Sequence, residues 1–316
     1  MLKSAAPPGG DWITWASTMA DGRAADESIS LPVCQGLAAM NLRLLSAADV
    51  ERLLPPIKAV DALETALKQG LDPENDPPRQ FVGLTQGELI MMPSEVGEHV
   101  AVKLVSVGGD PRIQGVVVVF DAKTLAPTAL ADGIAVTNVR TSAVSALAVR
   151  HLATPEASRL LIFGRGPQGH AHEQAIRAIR PIEHVDYVGR DHDDITELVR
   201  AADIICCCTT SGTPVFDGAL VKDTATVVAI GSHDPELRET DDALAARATV
   251  VVESRTSALR EAGDVVAAVK SGALAESSLV TLAELVDGAH IDPDRPRLFK
   301  SSGMSWEDAV IAGALA

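Results

Sequence analysis

The chain is poor in aromatic residues. Among 316 residues there are one Tyr, three Trp and five Phe, and aromatics make up 3%. Hydrophobic residues still reach 47%, so any core must be built from Ala, Val, Leu and Ile. No apolar run approaches the roughly 18 residues of a membrane span. Basic residues are scarce: 27 Lys and Arg face 43 Asp and Glu, for a net charge of −16. No basic stripe interrupts that acidity, which argues against nucleic acid or an anionic membrane as a partner. Cysteine is also rare. Cys34 stands alone, and Cys206, Cys207 and Cys208 are consecutive. Consecutive strand residues point to alternate faces, so the triplet cannot offer three thiolates on one side to a metal. It reads as part of a buried strand, with free thiols and a reduced, cytoplasmic compartment. The N-terminus lacks the charged, apolar and small-residue pattern of a secretory signal.

A chain of this length has room for two domains. Residues 1 to 40 mix Pro, Gly, Ser, Asp and two Trp without periodicity. We expect them to be a dispensable extension, either disordered or preceding a true start at Met40. From Asn41 the pattern becomes regular. Ser46-Ala-Ala-Asp49 is a capping box, followed by apolar residues at helical spacing. A second helix is expected near Val60–Gln69. Strands are expected at Leu89–Met92, Val100–Val107 and Val116–Phe120, in an antiparallel-rich sheet. Thr137–Leu152 reads as a long Ala-rich helix.

The most informative stretch lies between Arg159 and Arg190. An apolar strand, Leu160–Phe163, runs into Gly164-Arg-Gly166-Pro167-Gln168-Gly169. A helix then runs to about Ile179, and a second strand covers Val185–Val188. Strand, G-x-G-x-x-G turn, helix and strand is the order of a dinucleotide-binding unit. Gly164 permits the tight turn, Gly166 lets backbone approach a pyrophosphate, and Gly169 lets helix and strand pack closely. The helix N-terminus offers free N–H groups to phosphate. The bland alternative is a plain glycine turn. The position that binds the ribose 2′-hydroxyl in NAD sites is usually acidic; here it is Gly189, followed by Arg190. This favours NADP(H), while Asp191 keeps NAD(H) open. The plainer alternative is that Arg190 is only a solvated loop residue. Further β and α segments follow: helix Asp194–Ala201, strand Asp203–Thr209, strand Thr226–Ile230, helix Glu236–Ala246 and strand Thr249–Val252. Their alternation implies a parallel, doubly wound sheet. The tail ends in a strand, Arg297–Lys300, and a helix, Ser305–Ala316.

Four features outside the nucleotide unit carry chemical potential. Arg79 follows Pro77-Pro78 in a loop entering a strand. Lys103 sits within an apolar strand, either on its solvated face or holding an anionic ligand. Arg140 lies on the Ala-rich helix, where it either holds an anion or merely snorkels. Three separated cations in an acidic chain suit a small carboxylate. The fourth feature is the loop Gly231-Ser-His233-Asp234-Pro235-Glu-Leu-Arg-Glu239, after an expected parallel strand. His233 can titrate near neutral pH as acid or base. Alternatively, His233 and Asp234 form a helix-capping turn with Pro235 at the first helical position.

These residues resemble the ornithine cyclodeaminase and mu-crystallin family from about Leu42 to the C-terminus. The resemblance rests on Pro77-Pro78-Arg79, Val102-Lys103, Asp132-Gly133, Thr137-Asn-Val-Arg140-Thr-Ser-Ala143, Gly164-Arg-Gly-Pro-Gln168, the Gly231–Glu239 loop and Phe299-Lys-Ser-Ser-Gly303. It implies an α/β homodimer. A central Rossmann doubly wound sheet at 137–294, with its linking helix, would join a discontinuous α+β substrate and dimerisation domain at 41–136 and 295–316. It implies NAD(P) chemistry on α-amino acids or cyclic imines. Carried residue by residue, Arg79, Lys103 and Arg140 hold the substrate carboxylate. Pro167 and Gln168 form the pyrophosphate turn, Gly189 reads the ribose, and Thr209 contacts nucleotide. Ser301 and Ser302 lie near nicotinamide and substrate. True cyclodeaminases carry a catalytic Asp where this chain has His233, with Asp234 one position later. His233 shuttles protons better than it binds an ammonium. The expectation is therefore an NAD(P)H-dependent reductase of a cyclic imino acid, such as pyrroline-2-carboxylate, or a small amino acid dehydrogenase. Its catalytic set would be His233, Lys103 and Asp234. Ornithine cyclodeaminase and a nucleotide-binding protein without turnover are the alternatives.

Overall fold

A computed structural model describes residues 42–190, 194–231 and 233–316. The expectations for residues 1 to 40, Cys34 and Asp191 fall outside these. Two sheets carry the described chain. The first is built from β1 (Arg43–Leu45), β2 (Gln80–Leu84), β3 (Gly87–Val96), β4 (His99–Val107), β5 (Ile113–Asp121) and β6 (Pro127–Asp132). Its strands lie in the order β1-β6-β5-β4-β3-β2. All its pairs are antiparallel except β1 with β6. Two helices, α1 (Ala47–Leu53) and α2 (Pro56–Lys68), are inserted after β1. The expected capping box forms: Ser46 accepts from the Asp49 amide, and Asp49 accepts from Ser46.

Helix α3 (Gly133–Leu152) leads from the first sheet into the second. Asp132 caps it, accepting from the amides of Ile134 and Ala135. From Arg140 to Val149 every residue is buried. Its small side chains let elements from both sheets approach, which explains the Ala-rich sequence.

The second sheet uses β7 (Arg159–Phe163), β8 (His184–Val188), β9 (Ile204–Cys207), β10 (Thr226–Ala229), β11 (Thr249–Val252), β12 (Val280–Thr281) and β13 (Arg297–Lys300). All its pairs are parallel, in the order β12-β11-β13-β10-β9-β7-β8. The connections are α4 (Pro167–Arg177), α5 (Thr196–Ala201), α6 (Asp242–Arg247), α7 (Arg255–Glu261), α8 (Gly263–Ser271) and α9 (Leu282–Val286). This is the doubly wound α/β sheet expected. Its strand order reverses between β7 and β9, the switch point where such sheets open a crevice for ligands. The tail serves both layers. β13 is inserted between β10 and β11, and the last helix, α10 (Ser305–Gly313), packs against β3 and β4. Cys206 and Cys207 are buried free thiols within β9, and Cys208 is half-buried.

One segment departs from expectation. The helix foreseen at Glu236–Ala246, with Pro235 at its first position, begins only at Asp242. Glu239 is the reason. Its carboxylate turns inward to accept from Thr209 N (2.7 Å), Thr209 Oγ1 (2.7 Å) and Gly231 N (2.7 Å). Asp264 meanwhile takes the amides of Glu239 and Thr240. A helix would break this clamp. Asp241 caps the shortened helix instead, and Asp234 caps only a turn, accepting from the Glu236 amide.

Candidate active site

The C-terminal ends of the parallel strands gather most of the expected residues. At the end of β7, Gly164 has φ +108°, and a β-carbon there would lie 2.4 Å from the Cys208 carbonyl oxygen. Gly169 approaches as closely, with the Gly164 oxygen 2.3 Å from its missing β-carbon. Gly166 differs, because a β-carbon there would meet only open space. It is the N-cap of α4, has no side-chain cap, and is followed by Pro167. This turn borders a cleft of about 830 Å³ lined by Gly164, Arg165, Gly166, Gly189, Arg190 and Thr209, among others. The Gln168 amide group donates to Asn138 Oδ1 (2.9 Å), and its Oε1 is buried without a partner. Room at Gly166, uncapped amides and an orphaned acceptor fit a dinucleotide with its pyrophosphate at the helix start. Arg190 is exposed in this cleft beside Gly189.

The expected cationic group also assembles, but each cation already has an acidic partner. Arg79 Nε lies 3.3 Å from Glu261. Its Nη2 donates to the carbonyls of Ser302 (2.9 Å) and Gly303 (2.6 Å). Lys103 is 2% exposed. It lies on the same face of β4 as buried Ala101 and Val105, not on the solvated side. Its Nζ is 2.8 Å from Asp308. Burial first, and then the charge of Arg140, pull its pKa down to about 8 against the attraction of Asp308. Arg140 Nη1 lies 2.9 Å from Glu307, and its Nε lies 3.4 Å from Asp308. The Ser301–Gly303 turn sits in the middle. Glu253, at the end of β11, accepts from Ser301 Oγ (2.6 Å), Ser302 N (2.9 Å) and Gly303 N (3.2 Å).

His233 follows the β10 end. It is an exposed residue, yet partial desolvation lowers its pKa first, then the positive charge of Arg79, partly offset by Glu261. The loop thus brings it within electrostatic reach of the cationic group. Glu239 fixes the geometry between this loop and Thr209, as described above.

Sequence reasoning missed the acidic half of the site: Glu239, Glu253, Glu261, Glu307 and Asp308. The signal was present as carboxylates embedded in apolar context, such as Val250-Val-Val-Glu253 and Trp306-Glu-Asp-Ala-Val-Ile311. Buried carboxylates need partners, and an acidic residue inside such a run implies a buried cation nearby.

A parallel sheet, a glycine turn at its switch point and an anion-seeking cluster at the same strand ends define a nucleotide-dependent enzyme acting on a small acid. The chain belongs to the ornithine cyclodeaminase/mu-crystallin family, whose pattern it matches over residues 40–200 and 191–315. It is 31% identical over 261 residues to a Delta(1)-pyrroline-2-carboxylate reductase of Bacillus cereus, covering 72% of this chain and 80% of that protein. It is 33% identical over 220 residues to the ketimine reductase mu-crystallin of Rattus norvegicus, covering 64% and 68%. Its fold matches the Delta(1)-pyrroline-2-carboxylate reductase of Thermococcus litoralis, solved with NADH and L-proline. That match has a TM-score of 0.80 and 26% identity, over 87% of this chain and 96% of the other.

Proposed function

We propose that this protein is an NAD(P)H-dependent oxidoreductase that reduces a cyclic imino acid, with pyrroline-2-carboxylate as the first substrate to try, or that acts on a small α-amino acid. The carrying observation is the convergence of Arg79 and Arg140 on the Ser302–Gly303 turn, with Lys103 joined to Arg140 through Asp308. That turn lies at the same strand ends as the Gly164–Gly169 cleft. Two of the relatives above are named for imine reduction.

When bound, the nicotinamide supplies the hydride. Gly166 and the start of α4 hold the pyrophosphate, with Gln168 and Thr209 alongside. Arg79, Lys103 and Arg140 hold the substrate carboxylate and so fix the C=N carbon. Ser301 and Ser302 would lie near the nicotinamide and the substrate. His233 donates a proton to nitrogen, with Asp234 or Lys103 as the alternative donor. Gly189 and Arg190 favour NADP(H): an arginine beside a position without a carboxylate suits a 2′-phosphate. We further propose a homodimer, supported by the exposed apolar side chains Phe81, Val82 and Leu84 on the edge strand β2. Free Cys206 and Cys207 support a reduced cytoplasmic setting. No helix among the described residues is long and apolar enough to cross a membrane.

A panel of cyclic imines and amino acids, assayed with both cofactors for absorbance and for ammonia, tests the reading. Cofactor consumption in proportion to product supports a reductase. Ammonia release from ornithine with no net change in cofactor would replace it with a cyclodeaminase.

A further inference from the structure

We propose that Glu253 and Glu307 form a carboxyl pair that shares one proton, carried by Glu307, and that this pair sets the charge Arg140 presents to an anionic substrate. The role given to Arg140 rests on the function proposed above; the pair itself does not.

Both side chains are buried, Glu253 at 2% exposure and Glu307 at 0%. Their hydrogen-bond partners differ in kind. Glu253 meets only donors: Ser301 Oγ, the amides of Ser302 and Gly303, and Ser302 Oγ at 3.3 Å. Such a carboxylate is stabilised in its ionised form. Glu307 receives Arg140 on Oε2, while its Oε1 is buried with no protein donor. An ionised oxygen left in that state carries a large desolvation cost. A proton on Glu307 removes the cost, and the neighbouring Glu253 carboxylate, which faces the same Arg140–Gly303 contact, is the group placed to accept from it. The titration directions agree. Burial and the Glu253 charge push Glu307 well above the ordinary carboxylate range. Burial pushes Glu253 up too, but hydrogen bonds from Glu307, Ser301 and Ser302 hold it below that range.

The charge count around the turn follows. Arg79, Lys103 and Arg140 are already matched by Glu261, Asp308 and Glu253, and Arg260 beside Glu261 and Asp76 near Asp308 add one charge of each sign. Ionised Glu307 would add a further negative charge, in direct contact with Arg140. An incoming carboxylate would then meet a neutralised arginine. With Glu307 protonated, Arg140 keeps its attraction for the substrate, while Glu253 fixes the turn against which the substrate rests. Glu307 and Glu253 are thus positioning residues that act through Arg140 and the Ser301–Gly303 turn.

The test is an infrared difference spectrum between the parent protein and Glu307→Gln at neutral pH, without substrate. We expect loss of one protonated-carboxyl carbonyl band in the variant. Absence of that band from the difference spectrum overturns the shared proton, whatever the activity. Steady-state kinetics then test the charge argument. Glu253→Gln removes the negative charge that keeps Glu307 protonated, leaving Glu307 to ionise against Arg140. KM for the imino acid should rise about tenfold, with a smaller change in kcat. Glu307→Gln keeps its position neutral, so its rise in KM should be clearly smaller. A larger rise in Glu307→Gln than in Glu253→Gln overturns the charge argument. If Glu253→Gln does not fold, Glu307→Asp replaces it: a shorter acid that loses contact with Glu253 should ionise and raise KM, and an unchanged KM overturns the argument. A present band with no turnover of any imine leaves the pair standing and removes only the proposed function.

Discussion

Gly303 lies flat against the guanidinium of Arg140. A β-carbon at position 303 would sit 2.2 Å from Arg140 Nη1 and 2.7 Å from Nη2. Glu307 and Asp308 hold the guanidinium in that place, so Arg140 yields only by giving up these ion pairs. Gly303 also has φ +76°, where an ordinary residue pays roughly 1–2 kcal/mol. Gly303→Ala should therefore displace Arg140 and raise KM for the imino acid by about tenfold or more, with kcat changing less. Unaltered KM in steady-state assays would show that Arg140 does not bind substrate.

The three glycines of the nucleotide turn should respond differently to alanine. Gly164→Ala and Gly169→Ala drive a methyl into backbone oxygens and should lower the melting temperature. Gly166→Ala meets no protein atom, so its melting temperature should stay near the parent value while cofactor affinity falls. Fluorescence titration with NADPH and NADH measures the affinity. In the same titration, Arg190→Ala should weaken NADPH more than NADH, because the guanidinium pairs only with a 2′-phosphate. Equal or tighter NADH binding by the parent would sink the preference for NADP(H).

The second sheet was largely legible from residues 159–252, because short apolar strands alternating with helices leave one topology to choose. The glycine turn was legible for the same reason, as its spacing reports backbone geometry directly. Arg79, Lys103 and Arg140 were found as cations out of place in their surroundings. Their partners Glu261, Asp308 and Glu307 were not found, since they lie 167 to 205 positions away in sequence, where no periodicity links them. The false helix at Glu236 had a local origin. Pro235 after Asp234 is a good helix start, but tertiary demand for the Glu239 carboxylate at Thr209 and Gly231 outweighed it. The small β1 and the helices between Arg255 and Val286 were passed over because their apolar signal is short or broken.

Acid stability should carry opposing contributions from His172 and Asp76. His172 is fully buried between the Gln168 carbonyl (2.7 Å) and Ser145 Oγ (2.9 Å). Burial pulls its pKa from 6.5 to about 4. The unfolded chain then binds the extra proton first, so stability is lost as pH falls from about 6.5 towards 4. Asp76 accepts from Ser94 and the Trp306 amide, yet burial lifts it to about 6. Its folded form holds the proton between 3.8 and about 6, so stability is lost as pH rises through that window. Melting curves across pH 4–6.5 should flatten in slope for His172→Gln and steepen for Asp76→Asn. Identical slopes in parent and variants would count against both assignments.

The proton donor is tested at His233 and Lys103 together. If His233 is the general acid, His233→Ala should lower kcat by about 10²–10⁴-fold with little effect on NADPH binding. Its pKa is depressed by desolvation and by Arg79, so its protonated form is lost below the ordinary histidine range. That limb of the kcat profile should fall as pH rises and should vanish in His233→Ala. Lys103 titrates at about 8. kcat/KM should therefore fall again as pH rises past that value, and this second limb should disappear in Lys103→Arg, which stays charged. If His233→Ala keeps its full kcat, the histidine is only a turn residue, and Asp234, Lys103 or water supplies the proton. His233→Asp sharpens the choice. An aspartate in this loop can bind a distal ammonium and shuttle protons, so ammonia release from ornithine should appear in the variant and not in the parent. Release by the parent itself would show that the histidine does not divert the site from cyclodeamination, and the reductase assignment would lose its reason.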